Sequence, residues 1–368
     1  MPFLLESISS LTLAKKIGQL FFIGIPGPVI DDTTRQLLHE ISPGGVCLFA
    51  RNIKDGQQTR HLLDEVRNAL PMLPFLSIDQ EGGLVDRLRR ILTPMPSADK
   101  LRNPEDAANL ALIIAEALRI LGFNMDFAPV VDVAGPDRMQ ASNGLFSRAY
   151  GSSAQEVVER AGPFLDALIS NGILGCLKHF PGLGASEVDS HEELPSVNIS
   201  REVLESVDLY PYKKLLRPDV PIMVAHACYP NLDLQERDRN GKLLPSSLSS
   251  NIVSGLLRTD LNWNGLVITD DLEMGAIVKN YGIGDACRMA IGADVDMLAI
   301  CAGIDSIYEG FRSISAAVEN GEITEDRLDR SLERIASAKL LLSEPLPFDP
   351  ESINALSQRV AELNARLN

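Results

Sequence analysis

The sequence predicts an α/β protein built as a single (β/α)8 TIM-type barrel with further helices at its C-terminal end. Three observations lead there. Apolar runs rich in β-formers recur eight times, stretches of helical periodicity separate most of them, and no linker-like tract divides the 368 residues. The runs are continuously apolar rather than alternating, as parallel strands must be when helices cover one face and a packed interior fills the other. Eight such strands alternating with helices favour a barrel over a doubly wound sheet.

The runs are Leu20 to Ile25, Gly45 to Phe49, Pro74 to Ile78, Asn124 to Val131, Ile173 to Leu177, Pro221 to Ala225, Gly265 to Thr269 and Val295 to Ile300. Only a short helical segment separates the first two, so irregularity is expected among the first strands. Ahead of the fourth run, Ala107, Leu110, Ile113, Ile114 and Leu118 recur at three- and four-residue steps and predict a helix over 104–121. Residues 231–250, with several charges, Gly241, Pro245 and serines, read as a long loop after the sixth strand. Beyond Ala302 only helical pattern remains. Thr324 ahead of Glu325 and Asp326 marks one helix start, and Asp349 ahead of Pro350 marks another. No second domain follows, so residues 1–368 are expected to form one domain.

Composition narrows the function classes. Hydrophobic residues make up 45% and charged residues 23%, the balance of a globular protein rather than a disordered or fibrous one. A net charge of −16 argues against nucleic-acid and anionic-membrane partners, both of which call for a basic face. Any anionic substrate group must then be met by a few local Arg and Lys side chains. The N-terminus shows no signal-peptide pattern, and no segment reaches the ~18 apolar residues of a membrane span. Cys47, Cys176, Cys228, Cys287 and Cys301 are scattered, odd in number and mostly set in apolar runs. Buried free thiols in a reducing cytoplasm are the simplest account. Nothing sets an oligomeric state, and no motif requires a cofactor.

In a barrel the chemistry sits at the carboxyl ends of the strands. Ionisable residues cluster at those ends: Asp79-Gln80-Glu81-Gly82-Gly83 and Arg87 after the third run, Asp132 with Ser147-Arg148 after the fourth, Lys178-His179 and Asp189-Ser190-His191 after the fifth, His226 after the sixth, and Asp270-Asp271-Leu272-Glu273 after the seventh. Lys178-His179 is expected in a loop directly after the strand ending at Leu177. In an extended backbone Asp189 and His191 point the same way, so the carboxylate can fix the imidazole tautomer and make a proton-transfer unit near neutral pH. Asp270 and Asp271 point to opposite sides, so at most one faces the barrel mouth; the residues alone leave open which. Gly82 and Gly83 are expected to serve a tight turn, His226 to support the site or core, and Glu273 to be solvated or to start a helix.

Six segments, IDQEGG from Ile78, PVVDV from Pro129, SRAYG from Ser147, KHFPG from Lys178, DSH from Asp189 and ITDDLEM from Ile268, occur in one order along the barrel. Together they resemble glycoside hydrolase family 3, and within it the single-domain bacterial β-N-acetylglucosaminidases (β-hexosaminidases) of cell-wall recycling. KHFPG followed by DSH is the most specific combination. The resemblance implies a retaining hydrolase that removes β-linked N-acetylglucosamine from peptidoglycan-derived fragments. It implies Asp270 as the nucleophile, His191 as the acid/base oriented by Asp189, and Asp79, Arg87, Arg148, Lys178 and His179 as sugar-binding residues. Two positions depart from the family pattern: Leu84, where an Arg usually follows EGG, and Leu183, where PGHG has a His. Both bear on the sugar and aglycone contacts. A histidine donor also leaves room for an anionic acceptor such as phosphate in place of water.

A metal-dependent barrel hydrolase using His179, His191, His226 and Asp189 is the competing reading of another chemistry. It would place a His-x-His pair on the first strand, which here carries no ligand. A family 3 β-glycosidase of other sugar specificity is the closer rival. It would carry a further domain donating a Glu, for which no residues remain.

Overall fold

A computed structural model of the protein describes residues 10–135, 138, 144, 145, 147–186 and 193–367. Ten strands lie among them: β1 Phe21–Gly24, β2 Gly45–Leu48, β3 Phe75–Ile78, β4 Gln80–Gly82, β5 Val85–Asp86, β6 Met125–Asp126, β7 Leu177–Phe180, β8 Ile222–Val224, β9 Val267–Thr269 and β10 Leu298–Ile300. Eight form the wall of a TIM-type α/β barrel. They pair in parallel in two arcs, β10-β1-β2-β3-β6 and β7-β8-β9. Isolated bridges stand at the seams in place of continuous ladders. Met125 faces Leu174 and Val130 faces Lys178 at one seam, and Ile268 faces Met297 at the other. The fourth strand is therefore much shorter than the run 124–131 suggests. Pro129 within that run has no N–H to give a ladder.

Every residue of β1, β2, β3 and β7 is buried, which is why these strands read as unbroken apolar runs with no alternation. The fifth run is displaced. Its strand is Leu177–Phe180, so Lys178 and His179 lie inside the wall rather than in a loop after it. Sequence patterning assigns charged residues to loops because an unpaired charge cannot be buried. Here both side chains are paired by carboxylates from distant segments, and the strand runs through them.

The helix Pro104–Leu121 forms where the periodicity places it and buries Ala107, Leu110, Ile113, Ile114 and Leu118. Asn103 caps its start by accepting from the Asp106 N–H, and Gly122 ends it at φ +99°. Beyond β10 the chain is helical over Ile304–Glu319, Glu325–Lys339 and Pro350–Leu367. Thr324 caps the second of these through the Arg327 N–H, and Asp349 accepts from the Glu351 and Ser352 N–H groups at the start of the third.

The amino ends of the strands are closed by charge as well as by apolar packing. Asp294 and Asp296, just before β10, pair with Arg258, Arg327 and Arg334. Lys339 is buried and donates to Gln19 Oε1 at 2.7 Å, with its ammonium 5.5 Å from the Phe75 ring centre. Among the described residues no helix is long and apolar enough to cross a membrane. All five cysteines are free and buried.

Candidate active site

At the carboxyl ends of the strands a buried ion cluster joins three segments. Lys178 extends from β7 with its ammonium 2.7 Å from Asp79 Oδ1 and 2.6 Å from Glu81 Oε1. Glu81 also receives Arg148, through Nε to Oε2 at 2.8 Å and Nη2 to Oε1 at 2.9 Å, the bidentate geometry that suits a guanidinium. Lys178 is 1% and Glu81 5% exposed, so neither charge is sustained by water. Burial by itself raises a carboxyl, yet Arg148 and Lys178 hold Glu81 well below the usual carboxylate range. Burial likewise lowers a cation, but Asp79 and Glu81 keep Lys178 above the ordinary lysine range, and Glu81 does the same for Arg148. Two cations and two anions balance.

Asp126 lies beside this cluster on β6. Its Oδ1 accepts the Gln80 N–H at 2.9 Å, and its Oδ2 is buried with no hydrogen-bond partner among the described residues. Burial, reinforced by the neighbouring Asp79 and Glu81, pushes its carboxyl well above the ordinary range and so favours its neutral form beside a cluster that is already balanced.

The Gly82-Gly83 pair turns the chain from β4 into β5, with φ of +90° and +56°. A Cβ at Gly82 would sit 2.2 Å from the Pro96 carbonyl oxygen and one at Gly83 2.4 Å from Ser97 Cβ, so the turn is closed to other residues. Gln80 stiffens this hairpin. Its amide donates to Asp86 Oδ1 and accepts from the Arg87 and Leu88 N–H groups, while Asp86 Oδ2 accepts from Met95 N–H. Arg87 is presented half-buried, and its Nε is buried with no partner among the described residues. Leu84, at the hairpin tip, is 67% exposed.

Asp132 fixes β7 and the turn that follows it. Its Oδ2 lies 2.7 Å from His179 Nδ1, and its Oδ1 accepts the Leu183 N–H at 2.7 Å. One carboxylate thus holds the imidazole by Nδ1, leaving Nε2 as its other polar face, and holds the Pro181-Gly182 turn as well. Leu183 is buried and contributes through its backbone.

After β9 the two aspartates separate as the strand geometry requires. Asp270 Oδ1 accepts the Asp271 N–H at 2.8 Å. The Asp271 carboxylate turns into the wall, where Oδ1 accepts the Glu273 and Cys301 N–H groups, and burial pushes it up to about 7. Asp271 therefore stitches the end of β9 to the end of β10. Glu273 is half-buried and serves a helix other than one of its own. Its carboxylate accepts the Ala302 and Gly303 N–H groups at the start of the helix Ile304–Glu319. His226 is buried, with Nδ1 2.7 Å from Ser247 Oγ and Nε2 3.0 Å from the Asp271 carbonyl oxygen. A carbonyl only accepts, so Nε2 carries the proton and Nδ1 accepts from the serine. Burial lowers its proton affinity further, and with both nitrogens engaged it is not available as a metal ligand.

Residues 12–338 match the family model described as the glycosyl hydrolase family 3 N terminal domain. The chain belongs to glycosyl hydrolase family 3. A beta-hexosaminidase of Tolumonas auensis is 31% identical over 305 residues, covering 80% of this chain and 87% of that protein. A beta-hexosaminidase of Pseudomonas aeruginosa is 33% identical over 286 residues, covering 76% of this chain and 81% of its own. The solved structure of a glycoside hydrolase family 3 beta-N-acetylglucosaminidase from Paenibacillus sp. matches with a TM-score of 0.85 at 33% identity, over 96% of this chain and 69% of that one. This family 3 member is a glycosidase, and its substrate is a carbohydrate.

The family 3 barrel brings Asp79, Lys178 and Arg148 into one cluster, sets His179 beside them in β7, and places Arg87 on the adjoining hairpin. Asp270 stands at the end of β9. Asp189 and His191 lie outside the described residues. Glu81, Gln80, Asp86, Asp126 and Asp132 were not singled out as site residues from the sequence. Gln80, Glu81 and Asp132 lie at strand ends inside the IDQEGG and PVVDV segments, which is the signal the sequence offers for them. The partners that explain them are far away in the chain.

Proposed function

We propose that this protein is a retaining β-N-acetylhexosaminidase of the cytoplasm, acting as one domain, that releases β-linked N-acetylglucosamine from peptidoglycan-derived fragments. Asp270 attacks the anomeric carbon as the glycosidic bond breaks, and His191, oriented by Asp189, gives its proton to the departing oxygen. A glycosyl ester to Asp270 results. His191 then takes a proton from water as that water displaces Asp270, which restores both groups. The sugar is held by Asp79, Arg87, Arg148, Lys178 and His179.

The observation that carries this reading is the buried cluster of Lys178, Asp79, Glu81 and Arg148. An acidic protein here buries two cations among carboxylates at the carboxyl end of the barrel. Cations with fixed donors suit sugar hydroxyl and N-acetyl oxygens. The names of the relatives point the same way on the sugar. A panel of aryl β-glycosides differing only at the sugar 2-position is the test. A clear preference for N-acetyl over hydroxyl is expected, and equal or reversed rates would replace the reading with a β-glucosidase-like one. A 2-fluoro or 5-fluoro sugar should label the peptide containing Asp270; labelling of another carboxylate would overturn the nucleophile.

A further inference from the structure

We infer that Glu81 is the positioning residue of the sugar site, acting through Arg148 and Lys178 without touching the substrate. The inference rests on the glycosidase reading above and extends it to a residue that reading does not use. Both Glu81 oxygens are occupied: Oε1 accepts from Lys178 Nζ and Arg148 Nη2, and Oε2 accepts from Arg148 Nε. Three charge-assisted donors on its two oxygens leave it little capacity for a sugar hydroxyl.

What Glu81 does instead is select the donors left over. A lysine ammonium carries three N–H groups. Two are engaged by Asp79 and Glu81, so the third is directed. A guanidinium carries five N–H donors in a rigid fork, and Glu81 takes one on Nε and one on Nη2, which leaves the Nη1 edge as the presenting face. Glu81 also neutralises the repulsion of two buried cations that must lie close together. Its own placement is set by β4 and the glycine turn that follows, so the hairpin transmits backbone order to both sugar-binding cations.

The experiment compares wild type, Glu81→Gln, Arg148→Ala and the double variant on a nitrophenyl N-acetyl-β-glucosaminide, with thermal unfolding recorded in parallel. Glu81→Gln keeps the shape but presents an amide to donors that need a carboxylate. It is expected to raise KM about tenfold while kcat changes less than about threefold, because binding common to ground and transition states is lost. In the Arg148→Ala background the same substitution is expected to add less than about threefold in KM, since its main route is already gone. Should Glu81→Gln alone fail to fold, the double variant, which removes most of the donor clash, is read against Arg148→Ala. An unchanged KM in Glu81→Gln, or effects of Glu81→Gln and Arg148→Ala that simply multiply, would overturn the assignment while the glycosidase reading stands. A wild-type protein that turns over no aryl β-glycoside would sink that reading and this assignment together.

Discussion

Lys339 places an ammonium in the closed, amino-end floor of the barrel, with Gln19 Oε1 at 2.7 Å as its hydrogen-bond partner. Burial pushes it down from 10.5 to about 7. The unfolded chain therefore binds this proton below about pH 10.5 and the folded one only below about pH 7. Between those values the unfolded state holds more protons, so stability falls as pH drops from 10.5 toward 7 and is lowered by a constant amount below that. At about 1.4 kcal/mol per pH unit the full separation corresponds to roughly 4 to 5 kcal/mol. Lys339→Met removes the charge at similar volume. It leaves Gln19 Oε1 unpaired, which costs about 1–3 kcal/mol. The net expectation is a gain of roughly 2 kcal/mol at pH 7, read by equilibrium urea unfolding as a higher midpoint with an unchanged slope. At pH 10.5 the lysine is neutral in the folded state and half protonated in the unfolded one, so the burial penalty has shrunk to roughly 0.4 kcal/mol, the lost hydrogen bond outweighs it and the sign reverses. Activity at pH 7 should not change, because the floor lies at the end of the barrel opposite the candidate active site. A variant less stable than wild type at pH 7 would refute the reasoning. It would mean that Gln19 and the Phe75 ring more than offset the desolvation of the charge.

Asp270→Ala is expected to abolish turnover without loss of the fold. Asp271→Ala should retain most activity but lose about 2 kcal/mol of stability, because two backbone N–H groups lose their acceptor; the opposite ranking of the two variants in turnover would move the nucleophile by one residue. Asp126→Asn should be nearly silent in both kcat/KM and unfolding midpoint, since burial beside two anions favours the neutral carboxyl and Asn keeps the acceptor for the Gln80 N–H. A large loss in either measurement would show that Asp126 works as an anion. His191→Ala should fail on glycosides of poorly acidic alcohols yet keep much of its first-step rate on nitrophenolates, which leave without a proton, and Asp189→Ala should show the same pattern more mildly. Equal losses of His191→Ala on both leaving groups would assign His191 to sugar binding instead.

The sequence by itself determined the barrel, because its strands are buried on both faces and a buried parallel strand can be written only as an apolar run. It determined the helix starts at Thr324 and Asp349 for a similarly local reason: a cap is a contact across three residues. It also placed the turn at Gly82-Gly83 and gathered the ionisable residues toward the strand ends. The tertiary structure alone decided that Lys178 and His179 belong to the strand and not to the loop after it. Their charges are tolerable in the wall only because Asp79, Glu81 and Asp132 come to meet them, and Lys178 and Asp79 are 99 positions apart. The same holds for Glu273, whose carboxylate serves a helix start 29 and 30 residues further on, and for Asp271, which reaches Cys301. Period and propensity are short-range quantities and report burial one residue at a time. Which carboxylate neutralises which cation is settled only when the strands close side by side, since the interaction depends on separation in space and on the exclusion of water.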